Sequence, residues 1–131
     1  MLAHQWCDNG PGWQGVLLDS ASSVLDVIPD PAILAGLDVG IVGPHAAGGE
    51  AQFEVRAFFP GNTGLTEDPV TGSLNAALGQ WLIGARIAPE HYVAAQGTVL
   101  GRTGRVHVDR IDDAIWIGGG TVTVIEGTAA I

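Results

Sequence analysis

The stretch from Leu74 to Ala85 is apolar on nearly every side; only Asn75 and Gln80 are polar. A helix of that composition has no face to offer water, so the fold must enclose it. Leu74, Leu78 and Leu82 fall on one face, Ala77 and Trp81 widen it, and Gly84 can end it. A chain of 131 residues holding one such helix must supply a wrapping from its own remaining segments.

Those segments read as strands. Trp13 to Leu18 is a first strand, and Val39 to Val42 is short and apolar. Gln52 to Phe59 alternates polar and apolar, the pattern of a half-buried strand. Ser20 to Leu37 is turn-rich, with Pro29 and Pro31 as breakers, and predicts a short helix near Ala32 to Gly36. After Pro89 the period becomes two. Val93–Leu100, Arg105–Asp109, Ala114–Ile117 and Thr121–Glu126 predict four strands, with turns at Gly101, Gly104, Asp112-Asp113 and Gly118–Gly120. The expected fold is α+β: one domain over residues 1–131, with an antiparallel meander curled around a central helix at about 73–85.

Composition narrows the chemistry. The formal net charge is −9, from fourteen acidic against five basic residues, so no basic footprint exists for nucleic acid or an anionic membrane. The basic residues are Arg56, Arg86, Arg102, Arg105 and Arg110, and there is no lysine. That excludes a pyridoxal Schiff base, a lysine nucleophile and a P-loop lysine on this polypeptide. No run of about 18 apolar residues predicts a membrane span. The start Met1-Leu2-Ala3-His4-Gln5 lacks the pattern of a signal peptide, and Cys7 is the sole cysteine. Both agree with a cytoplasmic location. His4, His45, His91 and His107 are scattered without metal spacing, and Asp109, Asp112 and Asp113 lack the glycine and final glutamate of a calcium loop. Gly101–Gly104 and Gly118–Gly120 lead into no helix and form no nucleotide fingerprint. No metal and no cofactor are expected.

The chemistry concentrates in Glu67-Asp68-Pro69-Val70-Thr71-Gly72-Ser73, at the mouth of the apolar helix. The first N–H groups of a helix lack intrahelical partners, and the helix dipole adds positive potential there, so this start suits an anion. Asp68 beside it suggests proton chemistry on a small carboxylated molecule. Ser73 reads as an N-cap. Asp68, before Pro69, reads as an exposed turn residue. Glu67 reads as a solvated turn charge rather than a base, and Thr71 and Gly72 as residues that set backbone geometry.

Together with Arg56-Ala57-Phe58-Phe59-Pro60-Gly61-Asn62, this heptad resembles the signature in the second half of PhzF-like isomerases of phenazine biosynthesis. Those proteins share the two-lobed fold of diaminopimelate epimerase. Asp8–Trp13 is similar to the family's entry into its second lobe. Gln96-Gly97, Gly101-Arg102 and Ile117–Gly120 are similar to its closing hairpins. The resemblance implies one lobe of that fold and cofactor-independent proton transfer on a small-molecule carboxylate. It implies Asp68 and Ser73 as the residues that position or protonate substrate, with Glu67, Thr71 and Gly72 as substrate-binding. Family members are about twice as long, and their first lobe supplies a proton-shuttling glutamate that nothing here matches. The implied site is therefore half a site, completed by a homodimer or by a separate first-lobe chain. The alternative is a catalytically inert binding or assembly module derived from the family. The paired cysteines of the related epimerases have no counterpart at this turn.

Overall fold

The computed structural model describes residues 1–62 and 64–130. The apolar stretch forms helix α2 (Gly72–Gly84), and eight strands surround it: β1 (Ala3–Asp8), β2 (Gly12–Leu17), β3 (Val39–Pro44), β4 (Phe53–Gly61), β5 (Gly64–Asp68), β6 (His91–Gln96), β7 (Gly104–Ile111) and β8 (Ala114–Gly118). A short helix α1 (Ala21–Leu25) follows β2, and a 3₁₀ turn (Thr98–Leu100) follows β6. The strands form one sheet in the order β1-β2-β3-β4-β6-β7-β8, with β5 paired to β4 off that path. The β2–β3 and β4–β6 pairings are parallel and the others antiparallel.

α2 touches β1 and β2 at one end of the sheet and β7 and β8 at the other. The sheet therefore curls around the helix, which is how a helix without a polar face is kept from water. Leu74, Leu78 and Leu82 pack with Trp13, Leu17, Val55, Tyr92, Val106 and Val108 in the main core. Phe53 and Tyr92 meet edge to face, ring centroids 5.1 Å apart. Gly79 leaves room for β7 and β8 against the helix: a Cβ there would lie 2.9 Å from Val108 and 3.0 Å from Ile115. No helix among the described residues is long and apolar enough to cross a membrane.

Several expectations are corrected. The short helix is not at Ala32–Gly36 but at Ala21–Leu25, where Ser20 caps it by accepting from the Ser23 N–H at 3.1 Å. Residues 31–36 form turns; the Asp30 carboxylate captures the Ala32 N–H at 2.8 Å, which competes with a helical start. Thr121–Glu126 alternates like a strand but joins no ladder among the described residues, and Val122, Val124 and Ile125 are exposed. The meander after Pro89 thus has three strands, and its first ends at Gln96 rather than Leu100. β4 is not half-buried. Phe53, Val55 and Ala57 face the main core, while Phe58 joins Val24, Val39 and Ile41 in a second cluster under α1. Glu54 and Arg56 are buried on that second face as well. β1 and β5 carried no recognised pattern: β1 is an edge strand with most side chains exposed, and β5 is the return arm of a hairpin on β4.

Candidate functional site at the start of α2

The turn between β5 and α2 is built by its own side chains. Asp68 is the last residue of β5 and pairs with Ala57 of β4. It is half-buried, not an exposed turn residue, because β5 extends up to it. Thr71 is the N-cap residue of α2, yet its side chain makes no capping bond. Its hydroxyl instead donates to Asp68 Oδ2 at 2.7 Å. The opening N–H groups of the helix, at Gly72, Ser73 and Leu74, are therefore left without a side-chain cap. Ser73 is not the N-cap. It sits inside the first turn, and its Oγ accepts from Trp13 Nε1 at 3.3 Å. That bond ties the helix start to β2.

Glu67 and Asp68 are neighbours on a strand, so their side chains leave opposite faces. Glu67 points to the α1 side, where Arg56 grips it with two bonds, Nε to Oε1 at 2.8 Å and Nη2 to Oε2 at 2.9 Å. It is a half-buried, paired carboxylate rather than a solvated charge. Arg56 Nη1 also donates to the carbonyls of Val24 at 3.2 Å and Val27 at 2.7 Å, closing the end of α1. The Arg56 guanidinium lies 4.9 Å from the Phe58 ring centroid.

Two further residues hold the corner. Gln96, fully buried at the end of β6, accepts from the Thr71 N–H at 3.1 Å and from Asn75 Nδ2 at 2.8 Å. It donates to the Asp68 carbonyl at 3.0 Å and to Thr71 Oγ1 at 2.9 Å. Asn75, also buried, returns a bond to the Thr71 carbonyl at 2.8 Å. Gln96 is thus bonded to both ends of the Asp68–Thr71 turn. The sequence signal for both amides was their presence in apolar runs, since a buried amide needs partners. Gly97 follows at φ 86°, and a Cβ on it would lie 2.7 Å from the Pro69 carbonyl oxygen, so only glycine lets this loop close over Pro69.

A cavity of about 510 Å³ opens beside the turn, lined by Val70, Gly72, Thr103, Gly104, Gly119 and Gly120 among others. A Cβ built on Gly72 meets nothing within 4 Å, so the helix start faces open space there. The structure therefore brings Asp68, Thr71, Gly72 and Ser73 to one corner and turns Glu67 away from it. The corner offers uncapped N–H donors, a hydroxyl-bonded carboxylate and a small-residue wall. That combination can hold an anion and place a carboxylate near it. Among the described residues no three His, Cys, Asp or Glu side chains gather as metal ligands.

Comparison with known proteins agrees with this architecture. The chain is 30% identical over 135 residues to antisense-enhancing sequence 1 of Schizosaccharomyces pombe, covering 95% of this chain and 45% of that protein. It is 32% identical over 113 residues to an uncharacterised isomerase of Pseudomonas aeruginosa, covering 86% of this chain and 42% of that one. The crystal structure of a PhzF-family phenazine biosynthesis protein from Bacillus anthracis superposes with a TM-score of 0.62 at 17% identity, covering 82% of this chain and 41% of that chain. The fold is thus that of one half of such a protein, and the chain spans less than half the length of the relatives it matches. The sequence profile of the phenazine biosynthesis-like proteins matches residues 1–127, and the chain belongs to that family.

Proposed function

We propose that this chain is one lobe of a PhzF-like isomerase that moves a proton on a small carboxylated substrate without a cofactor. The observation that carries the reading is the α2 start. Its N–H groups are uncapped because Thr71 spends its hydroxyl on Asp68, and Gly72 faces a cavity. The substrate carboxylate sits on the N–H groups of Gly72, Ser73 and Leu74. Asp68 positions or protonates the substrate, Thr71 holds Asp68, and Ser73 steadies the helix start against Trp13. Glu67 serves binding indirectly, by fixing β5 through Arg56.

Abstracting a carbon-bound proton and returning it on another atom needs a group within hydrogen-bond reach of each position. This corner supplies one carboxylate. The reading therefore includes a second lobe, from a second copy or from a separate chain, that brings the other acid–base group. Exposed Trp6 on β1 and Trp116 on β8 give both sheet edges apolar surface for such a contact. A cytoplasmic location and a single domain over 1–131 are part of the same proposal.

The test is proton exchange from deuterated water into candidate carboxylates. The chain alone is expected to show little exchange, and a completed two-lobed assembly is expected to show turnover that Asp68→Asn reduces. Robust exchange by the chain alone at a concentration where light scattering gives only 13.4 kDa would refute the need for a second lobe. A completed assembly whose turnover ignores Asp68→Asn would refute the role of the corner.

A further inference from the structure

The sheet face turned away from α2 carries a separate constellation. Glu54 on β4 stands opposite Ala95 on β6, and Ala95 stands opposite Arg105 on β7. Opposed residues share a face, so a carboxylate and a guanidinium flank a single methyl group. Strand spacing sets their Cα atoms roughly 10 Å apart, which leaves a hollow over Ala95. Glu54 is held through one oxygen only, and Arg105 through Nε and through Nη1, which donates to the Gly104 carbonyl at 2.9 Å. Glu54 Oε2 lies 3.0 Å from His45 Nε2, and Arg105 Nε donates to Glu50 Oε2 at 3.0 Å. Glu54 is 1% exposed, and its Oε1 has no hydrogen-bond partner among the described residues. The hollow is part of a cavity of about 340 Å³, lined by Leu25, His45, Ala51, Glu54, Ala95 and Arg105 among others.

A buried carboxylate oxygen without a donor is costly, and native folds satisfy such groups. A metal ion does not fit the hollow, because His45 and Glu54 gather no third ligand. An anion does not fit beside Glu54 and Glu50. We propose that this cavity binds a small molecule with a primary ammonium group, which donates to Glu54 Oε1 while its alkyl part lies against Leu25, Ala51 and Ala95. A charge-assisted N–H bond is the strongest contact such an oxygen can receive. The site is independent of the α2 corner: it lies across the sheet from α2, and Arg105 alone lines both cavities.

The test is titration of the ¹⁵N-labelled full chain with n-butylammonium chloride, followed by amide shifts. Tetramethylammonium chloride at equal ionic strength controls for charge without an N–H donor, and n-butanol controls for the alkyl part. Saturable shifts are expected at His45, Ala51, Glu54 and Ala95, with half-saturation on the order of 1–10 mM, within reach of so small a ligand. Both controls are expected to bind at least about tenfold more weakly, and Glu54→Gln to weaken butylammonium by a similar factor. If Glu54→Gln fails to fold, Thr98→Trp at the exposed rim fills the hollow instead, and the shifts are expected to vanish. Shifts that do not saturate by roughly 100 mM, or equal shifts with tetramethylammonium, would overturn the proposal. So would unchanged binding to Thr98→Trp, or an ordered water on Glu54 Oε1 that the amine does not displace.

Discussion

Replacing Gln96 by Met keeps the volume and removes every polar atom from the centre of the α2 corner. Four hydrogen bonds disappear with the amide, to the Thr71 N–H, Asn75 Nδ2, the Asp68 carbonyl and Thr71 Oγ1. Their consequences differ. Asn75 keeps its bond to the Thr71 carbonyl, and the Thr71 hydroxyl keeps Asp68. The buried Thr71 N–H keeps nothing, whereas Asp68 remains in the β4–β5 ladder opposite Ala57. One orphaned buried group costs about 1–3 kcal/mol, so the loss is about that size. With a urea m-value of about 2 kcal/mol/M, the midpoint of unfolding is expected to fall by about 0.5–1.5 M at fixed protomer concentration. Gln96→Glu discriminates further. It keeps both acceptor contacts but faces the Asp68 carbonyl with an acceptor, and it draws the Thr71 hydroxyl away from Asp68. Burial, the facing Asp68 carbonyl and the nearby Asp68 carboxylate favour its neutral form against the two retained N–H contacts, so this variant is expected to regain stability relative to wild type as the pH falls toward 5. A Gln96→Met midpoint within about 0.3 M of wild type would show that the amide does not hold the corner.

Arg56→Met leaves Glu67 charged and nearly enclosed, and is expected to cost about 3–5 kcal/mol. The double variant with Glu67→Leu is expected to recover most of that loss in a denaturation cycle. Gly72→Ala adds a methyl group in open space, so stability is expected to hold or rise by up to about 1 kcal/mol, while sulfate binding followed by amide shifts weakens. Asp68→Asn keeps an acceptor for the Thr71 hydroxyl, so stability is expected to change by less than about 1 kcal/mol. Turnover of a completed assembly is expected to fall by about 10². Burial pushes the Tyr92 phenol well above its ordinary range, so its folded form resists ionisation. Its folded pKa exceeds its unfolded value near 10; the contribution is therefore complete below about pH 10 and lost as pH rises above it. Tyr92→Phe is expected to flatten that alkaline decline in thermal melts.

The sequence disclosed what composition alone can force. α2 was legible because no other placement suits Leu74, Leu78 and Leu82 in a stretch with no polar face. β6 and β7 were legible because alternate residues of each enter one core. β1 was not, since an edge strand with one buried residue carries no alternation. β5 was not, because hairpin pairing with β4, rather than burial, holds Gly64–Asp68 extended. α1 lay just before the breakers Pro29 and Pro31 in a stretch that reads as turns, although Ser20 before Ala21 was a readable cap. Thr121–Glu126 shows the converse: a strand pattern makes a strand only where a neighbour offers a ladder. At the site, Asp68 and the helix start stood out in the heptad. The Gln96–Thr71–Asn75 network did not, because Gln96 joins the other two only where β6 meets the start of α2.

The placement of Asp68 follows from an ion pair on the opposite face of its strand. Arg56 is fixed by the α1 carbonyls and holds Glu67, and Glu67 fixes the register of β5 against β4. Alternation then sends Asp68 to the other face, toward Thr71. A slip of one residue would put Asp68 against Arg56 and aim Glu67, one methylene longer, at the helix start. The slipped state would still pair an acid with Arg56, so the charge alone does not choose the register. The geometry does: the bidentate fork needs the reach of glutamate, and the 2.7 Å bond to the Thr71 hydroxyl needs the short arm of aspartate. The order Glu67-Asp68 is thus a structural requirement on one face and a positional one on the other. The adjacent Pro69, packed under Gly97, stops the strand there and hands the chain to the helix.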